Sequence, residues 1–518
     1  MKNSVLKMMT LFLGVSLFFS CKPTDKPKSE GFPYKLEITE TALKNAPHLQ
    51  SFAHAVDGTN WLLFAGRTNT KDTKKGEKDD GGLHNMNANY SSTSFPPPSF
   101  NKNIFVYDVA IDATQSISVE DLLGIVEKEF SMYLGILAEN ISVFQNTNSQ
   151  VKQSGEFMYL VGGYGPKDIL DPTSDYVTYN QVAKIHVPSL INLVKGDYAA
   201  VDKDKLFAFG KHENLIATGG ELQATGTGDN FALYLVGGHC FGTNCYNGQK
   251  YQDAAYEFTV APTKGKDSLI ALTVSLGEVL SDVSDPKSPA ADNDSQMRRR
   301  DGPILPQLFK NAPGTDAQQG FAFFAGVFKP GDDPLEAWND ALYFHPGFVN
   351  TENKLYTIDS AYDQKNYNVY SCPNFVIYDE KSETVHSFLM GGIGDGKTDP
   401  AGNLSGFTNT AMHIETSVVN MKSTNTLISP ENLFNKNKDN APNFYGAEAI
   451  FFNSDEVFTY KLDKTETELL DISKFGDSDV FVGYIFGGIE AFESNPASYG
   501  PRKSRASNKV WKVTLKKK

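Results

Sequence analysis

The segment Leu233–Gly242 reads LYLVGGHCFG, a short apolar run that closes on two glycines, and five other segments repeat it. They are WLLFAGR (Trp61–Arg67), FMYLVGGYG (Phe157–Gly165), FAFFAGVF (Phe321–Phe328), FLMGGIGDG (Phe388–Gly396) and YIFGGIEAF (Tyr484–Phe492). Taking Gly66, Gly163, Gly238, Gly326, Gly392 and Gly488 as marks, the intervals are 97, 75, 88, 66 and 96 residues. Runs this short, without polar alternation and bounded by turn residues, predict strands buried on both faces. Glycine at their ends permits a left-handed backbone or a close approach that a Cβ would block. A repeat that fills the chain replaces the three or four domains that 518 residues would otherwise suggest.

Each marker strand has companions. Before it come LIATGGELQAT (Leu215–Thr225), PILPQLF (Pro303–Phe309), PNFVIYD (Pro373–Asp379) or GAEAIFFN (Gly446–Asn453). After it, beyond a polar loop, come NIFVYDV (Asn103–Val109), QVAKIHV (Gln181–Val187), DAAYEFTV (Asp253–Val260), DALYFHP (Asp340–Pro346) and KVWKVTL (Lys509–Leu515). A fourth strand follows in places, as in LIALTVS (Leu269–Ser275) and LYTID (Leu355–Asp359). A four-stranded antiparallel unit that recurs around a ring is a propeller blade. The expected fold is therefore all-β: a six-bladed β-propeller of four-stranded antiparallel blades. The last unit stops after its third strand, and YKLEITE (Tyr34–Glu40) is an orphan strand at the other end. An N-terminal strand that completes the sixth blade closes the ring.

The pattern resembles the kelch repeat of the galactose oxidase/kelch superfamily. The likeness rests on apolar-apolar-Gly-Gly, then N/D-x-hydrophobic-x-aromatic after a loop, as in YNQVAKIHV, YQDAAYEFTV and WNDALYFHP, and spans about Leu49 to Leu515. The units here are longer than usual, hold only three Trp, and in blades one and four carry Ala-Gly for Gly-Gly.

Lys2 and Lys7 precede an apolar run from Met8 to Phe19, followed by Ser20 and Cys21. This is the layout of a secretory signal peptide. A Cys at the junction resembles the lipobox of bacterial lipoproteins, in the loose form found in Bacteroidota, with Phe18 in place of the usual Leu. The alternative is a cleaved soluble export signal. The expected organisation is a lipoprotein signal peptide over 1–20, a flexible tether over 21–33, and one kelch-like propeller over 34–518. Cys21 would carry the lipid, with the protein held in the cell envelope at the outer membrane. Cys240 and Cys245, in a Gly/Asn-rich loop, are either a small disulfide ring or two free thiols; Cys372 has no evident partner.

The net charge is −14, and −16 without Lys2 and Lys7, which argues against a nucleic-acid partner. The nine His show no HxH or HExxH spacing. His84 and His239 stand alone in loops, DNDS (Asp292–Ser295) and DSD (Asp477–Asp479) lack a calcium-loop spacing, and GxSxG, phosphate-loop and dinucleotide signatures are missing. No metal and no cofactor are expected. Long polar connections, Thr68–Asn101, Tyr164–Tyr179, Lys329–Trp338, Ile393–Thr408 and Ile489–Ser507, point to a recognition face.

Residues before the innermost strands are expected near the axis: Tyr133, Glu139, Asn214, Arg298, Arg299, Arg300, Asp301, Tyr370 and Glu448. The RRRD run suits a carboxylate or sulfate. The kelch resemblance implies a structural Arg here, and Arg300 matches that position. Two functions follow. One is a monomeric envelope module that binds a glycan or protein partner without chemistry. The other is a cofactor-independent enzyme resembling the sialic-acid mutarotases, with Glu448, Glu139 and Arg299 as its acid/base and Arg groups.

Overall fold

A computed structural model describes residues 31–518 except 72–79, 84–94, 96, 169–170, 172–173, 227–230, 264–269, 285–294, 331–335, 347–353, 366, 395–405, 430–432, 435–443, 463–464, 493 and 495–503. The expected signal peptide, Cys21, most of the tether, His84 and residues 292–294 lie outside them. Six antiparallel four-stranded sheets surround one axis. From the axis outward, blade I runs Ala53–Asp57, Asn60–Phe64, Asn103–Asp108 and Ala113–Ser118. Blade II runs Gln150–Ser154, Phe157–Val161, Gln181–His186 and Phe207–Lys211; blade III runs Thr218–Thr225, Ala232–Phe241, Ala254–Pro262 and Leu272–Ser281. Blade IV is Ile304–Lys310, Ala317–Phe324, Ala341–Phe344 and Tyr356–Asp359, and blade V is Asn374–Asp379, Thr384–Met390, Ala411–Ser417 and Ser423–Ser429. The marker strand is the second of each blade.

The continuous apolar runs follow from where the cores sit. Successive strand side chains point to opposite faces, and here each face meets another blade. In blade III, Leu233 and Leu235 pack toward blade II, while Tyr234 and Val236 pack toward blade IV. The same arrangement fills every gap around the ring, ending where Trp61 of blade I stacks on Phe452 of blade VI, 4.1 Å between ring centres. Both faces are buried, so polar alternation has no place.

Blade VI consists of Ile450–Asn453, Val480–Phe486, Val510–Lys517 and, outermost, Tyr34–Glu40. The first and last strands of the ring pair antiparallel over seven positions, from Tyr34 opposite Lys517 to Glu40 opposite Trp511. The expected closure is therefore the observed one.

Two features go beyond the repeat. Between blades I and II lies a helical insertion whose first helix, Val119–Glu129, is capped by Ser118 and Asp121 in a reciprocal capping box. Its Val119, Leu122 and Val126 face the core, the 3.6-residue spacing of an amphipathic helix. A second helix, Val187–Lys195, sits between the third and fourth strands of blade II. The other feature is a hairpin within blade VI, Thr459–Leu462 and Thr465–Asp471. Its second strand pairs in parallel with the inner strand of blade V, Leu470 opposite Ile377. Glu468 then meets Lys152 of blade II at 2.5 Å. Blades II and V face each other across the ring, so this hairpin crosses the lower end of the axis.

Deleting Tyr34–Glu40 leaves the Val510–Lys517 strand as an unpaired edge. We expect a fall in melting temperature of roughly 5 °C or more, several kcal/mol for a chain of this size. Melting of the deletion variant within about 1 °C of the parent would show that the closing strand is dispensable.

Candidate functional site

Six residues, one at the start of each inner strand, encircle the axis: Ser51, Asn148, Gly219, Asp301, Ser371 and Glu448. Their backbones are linked in series. Asn148 N–H donates to Ser51 O (3.2 Å), Gly219 to Asn148 (3.4 Å), Asp301 to Gly219 (2.8 Å), Ser371 to Asp301, and Glu448 to Ser371 (3.0 Å). Side chains bridge the sixth junction, where Ser51 Oγ donates to Glu448 Oε2 at 3.0 Å. Ser51, Asn148, Asp301 and Glu448 hold left-handed φ values between 49° and 58° to make this turn. That conformation costs a non-glycine residue about 1–2 kcal/mol. Strain of this kind gathers where surrounding structure imposes a geometry.

The marker glycines pack this ring against the neighbouring blade. Gly238 N–H donates to Arg299 O at 2.8 Å. A Cβ on Gly237, whose φ is +64°, would lie 2.8 Å from that same oxygen. Blades I and IV hold the left-handed turn with Ala65 and Ala325 instead.

Below the ring is a cavity of about 70 Å³, room for a few waters, lined by Ser149, Glu221, Asp301 and Glu448 among others. Three carboxyls thus share one cavity. Burial pushes Glu448 up to about 8, reinforced by the charges of Asp301 and Glu221. Burial raises Asp301 to about 6 against the pull of Arg300, and raises Glu221 to about 7 against that of Lys152. Tyr370 interacts with both Asp301 and Glu448, and burial drives its phenol well above the ordinary value. Burial also lowers His54, on the blade I inner strand, to about 4, so it is neutral at pH 7.

Above the ring the axis opens into a mouth of about 420 Å³. Its walls come from residues that follow the marker glycines, including Arg67, Tyr164, His239, Phe328, Ile393 and Ile489. Arg300 lies in this wall, its Nε 3.2 Å from Asp301 and its NH1 2.8 Å from His239 Nε2. Burial and the Arg300 charge hold His239 well below its usual range, so the imidazole is neutral and its Nε2 accepts. The Arg300 guanidinium rests 4.1 Å above the Phe328 ring. Two guanidinium groups, Arg67 and Arg300, one carboxyl, Asp301, and several aromatic faces therefore converge on one opening.

The expected site residues divide into two groups. Arg300, Asp301, Tyr370 and Glu448 come together at the ring and mouth. Arg298 sits beside them, over the Tyr251 ring at 4.2 Å and donating to Phe328 O. Arg299 is placed differently from its expected role at the channel. It is fully buried, paired with Asp340 at 2.7 Å, donating to Ala325 O and stacked on Trp338. The structural Arg is therefore Arg299, and Arg300 reaches the mouth. Adjacent residues on an extended segment point opposite ways, so a shift of one position exchanges their roles.

Tyr133 and Glu139 are not at the axis. Tyr133 is buried in the helical insertion, where its hydroxyl donates to Lys203 O at 2.7 Å, and Glu139 is exposed at the end of the helix Leu134–Glu139. The helical insertion between blades I and II carries both away from the axis, because its apolar residues pack against the outer strands of the two blades. Asn214 likewise lines a separate surface recess with Ile216 and Gln252. Cys240 and Cys245 form a disulfide, and Cys372 is buried and free, its thiol pushed up to about 12 by burial. Glu221, His54, Lys152 and Arg67 escaped the sequence reading. Arg67 and His239 share a signal that repeat alignment carries, the position directly after the marker glycine.

No family model matches this chain, and no curated protein matches it. Among solved structures it is similar to one described as "Structure of YjhT", at 11% identity and a TM-score of 0.41, over 92% of this chain and 99% of that one. The likeness is distant.

The raised carboxyls make stability depend on pH with a definite sign. Glu448 has a higher folded than unfolded value, so its contribution is fully present below about pH 4.5 and is lost as pH climbs toward 8. Glu448→Gln removes that loss while retaining an acceptor for Ser51. The variant should match the parent at pH 5 and exceed it at pH 8 by on the order of 1–2 kcal/mol in denaturant titrations. An equal offset at both pH values would place the Glu448 charge in solvent.

Proposed function

We propose that the axial mouth binds a carbohydrate carrying an anionic group, and that the protein is a cell-envelope lipoprotein whose kelch-like propeller displays this site. The observation that carries the reading is Arg300, held between His239 and Asp301 over the Phe328 ring at the opening of a 420 Å³ pocket. That volume falls within the range of about 300–1,000 Å³ typical of small-ligand sites. Sugar C–H faces pack on aromatic rings, hydroxyls pair with Asp301 at the floor of the mouth, and a carboxylate or sulfate takes the guanidinium. The sequence of the export segment supports the lipoprotein part: two Lys, an apolar run, then Ser20 and Cys21.

A second reading, cofactor-independent acid/base chemistry on the bound sugar in the manner of the sialic-acid mutarotases, draws on Glu448 and Asp301. Both carboxyls flank Tyr370 and titrate near neutrality, the condition for giving and taking protons there. Opening a cyclic hemiacetal needs a base on the anomeric hydroxyl and an acid on the ring oxygen, and two such carboxyls provide both.

Calorimetry with an acidic sugar and its neutral analogue tests the site. The acidic sugar should bind and the analogue should bind at least about tenfold more weakly, as expected for one charge-assisted contact. Arg300→Gln should remove that preference at a smaller cost in stability than Arg299→Gln, because Asp301, already raised by burial, can take up a proton when the guanidinium is gone. Arg299→Gln should instead destabilise by about 3–5 kcal/mol, because it removes the fully buried partner of the Asp340 ion pair and its stacking on Trp338. Equal binding of both sugars, or a preference that survives Arg300→Gln, overturns the assignment. Anomer exchange followed by NMR in the same samples separates binding from catalysis: no acceleration over buffer removes the second reading. For the anchor, Cys21→Ser should move the protein from membranes to the soluble fraction, and unchanged partition would refute lipidation.

A further inference from the structure

Far from the axis, the second and third strands of blade V, Thr384–Met390 and Ala411–Ser417, bring two histidines and a glutamate to one face. His386 stands opposite Glu415 and Phe388 opposite His413, which makes the two imidazoles diagonal neighbours. His386 Nδ1 lies 2.9 Å from His413 Nε2 and 3.6 Å from Glu415 Oε1. The three ligand atoms all fall within 4.8 Å of one another. We propose that His386, His413 and Glu415 form a zinc-type metal site, with two imidazole nitrogens, one carboxylate oxygen and a fourth position for water.

Ligand type and geometry select the ion. Imidazole with one carboxylate suits Zn²⁺, Cu²⁺ or Ni²⁺ rather than Ca²⁺ or Mg²⁺, which prefer all-oxygen shells. With Zn–N near 2.0–2.1 Å at a tetrahedral angle, two ligating nitrogens stand about 3.4 Å apart. The histidines must therefore separate by only about 0.5 Å, within the play of two rotating rings. The carboxylate already stands at about the required distance from His386.

Protons do not compete for the site. Burial lowers His386 to about 4 and His413 to about 3, so both rings are neutral at pH 7 and differ only in which nitrogen carries the hydrogen. In the 2.9 Å contact one ring donates. On metal binding that ring shifts its N–H to its other nitrogen, so both contacting nitrogens offer lone pairs and no net proton is released. The nearby charges are Asp379, which favours a cation, and Lys518, which opposes it.

The surroundings hold the ligands and leave a path. Phe388 stacks on His413 at 4.6 Å with an interplanar angle of 6°, and Phe32 lies 4.8 Å from His386 and 5.1 Å from His413. Lys518 Nζ donates to Phe32 O at 2.7 Å, so the C-terminal residue and the segment before the closing strand meet over the site. The Glu415 side chain is 42% exposed and marks the side from which an ion enters. The two strands share one β-ribbon and no loop rearrangement is needed.

The test uses the full mature chain stripped with a chelator, titrated with ZnCl₂ by calorimetry and counted by native mass spectrometry. One zinc per chain is expected, with a rise in melting temperature. His413→Ala should abolish this equivalent, and Glu415→Gln should weaken it about tenfold or more, as for lost metal-supporting groups. His48→Ala, at an exposed histidine elsewhere, should bind as the parent does. Cobalt(II) substituted into the parent should give the visible absorbance of a tetrahedral N/O site. If His413→Ala does not fold, Glu415→Gln decides alone, since it keeps the side chain's size and that side chain is partly exposed. No bound zinc in the parent, or undiminished binding in Glu415→Gln, overturns the site.

Discussion

At the axis, amides from six different blades hydrogen-bond in series, from Ser51 through Asn148, Gly219, Asp301 and Ser371 to Glu448. Backbone N–H groups at the centre of a ring have little water to bond, and leaving them unpaired would cost about as much as a lost buried hydrogen bond. Each blade must therefore present the start of its inner strand to its neighbour at one height and one angle. The left-handed turns at Ser51, Asn148, Asp301 and Glu448 are the local consequence. The marker glycines serve the same constraint from the other side, since Gly237 and Gly238 let the neighbouring chain approach to hydrogen-bonding distance.

This arrangement frees the side chains for chemistry. Because the ring is held by backbone atoms, the side chains of its five non-glycine residues are not needed for closure, except where Ser51 reaches Glu448. Asp301 and Glu448 can then stand on one cavity with Glu221, a placement that folding alone would disfavour because three carboxyls drawn out of bulk water repel one another. Arg300 and Lys152 are the cations that offset it from above and below. The hairpin Thr459–Asp471 adds an asymmetry, because Glu468 draws Lys152 toward the lower end and the strand crosses the axis there. The channel has an aromatic upper mouth and a bridged lower end.

Local pattern was enough for the scaffold. Short apolar runs such as FMYLVGG and YIFGG reveal strands buried on both faces, because a strand between two blades has no solvent side to mark with polar residues. The truncated last unit and the orphan YKLEITE together imply the closing pair, because an open sheet edge has no other partner in the chain. Those readings use only neighbours in sequence. The helices Val119–Glu129 and Val187–Lys195 were legible in principle through the Ser118/Asp121 cap and the 3.6-residue spacing, but the strand repeat masked them.

Position around the axis was decided by tertiary structure. Arg299 and Arg300 are adjacent and alike, yet one is sealed against Asp340 and Trp338 while the other reaches the mouth. Which is which depends on a one-residue register that strand pairing sets and composition cannot. Glu221 and His54 become members of a carboxyl-rich cavity only when the closed ring brings blades III and I to the same space. His386 and His413, 27 residues apart with no motif between them, become neighbours only through the antiparallel register of blade V. The amino-acid pattern by itself determined which segments are strands, because burial on two faces is written in each strand's own residues. Contacts across the ring link residues far apart in sequence, so their chemistry emerges only once the blades close.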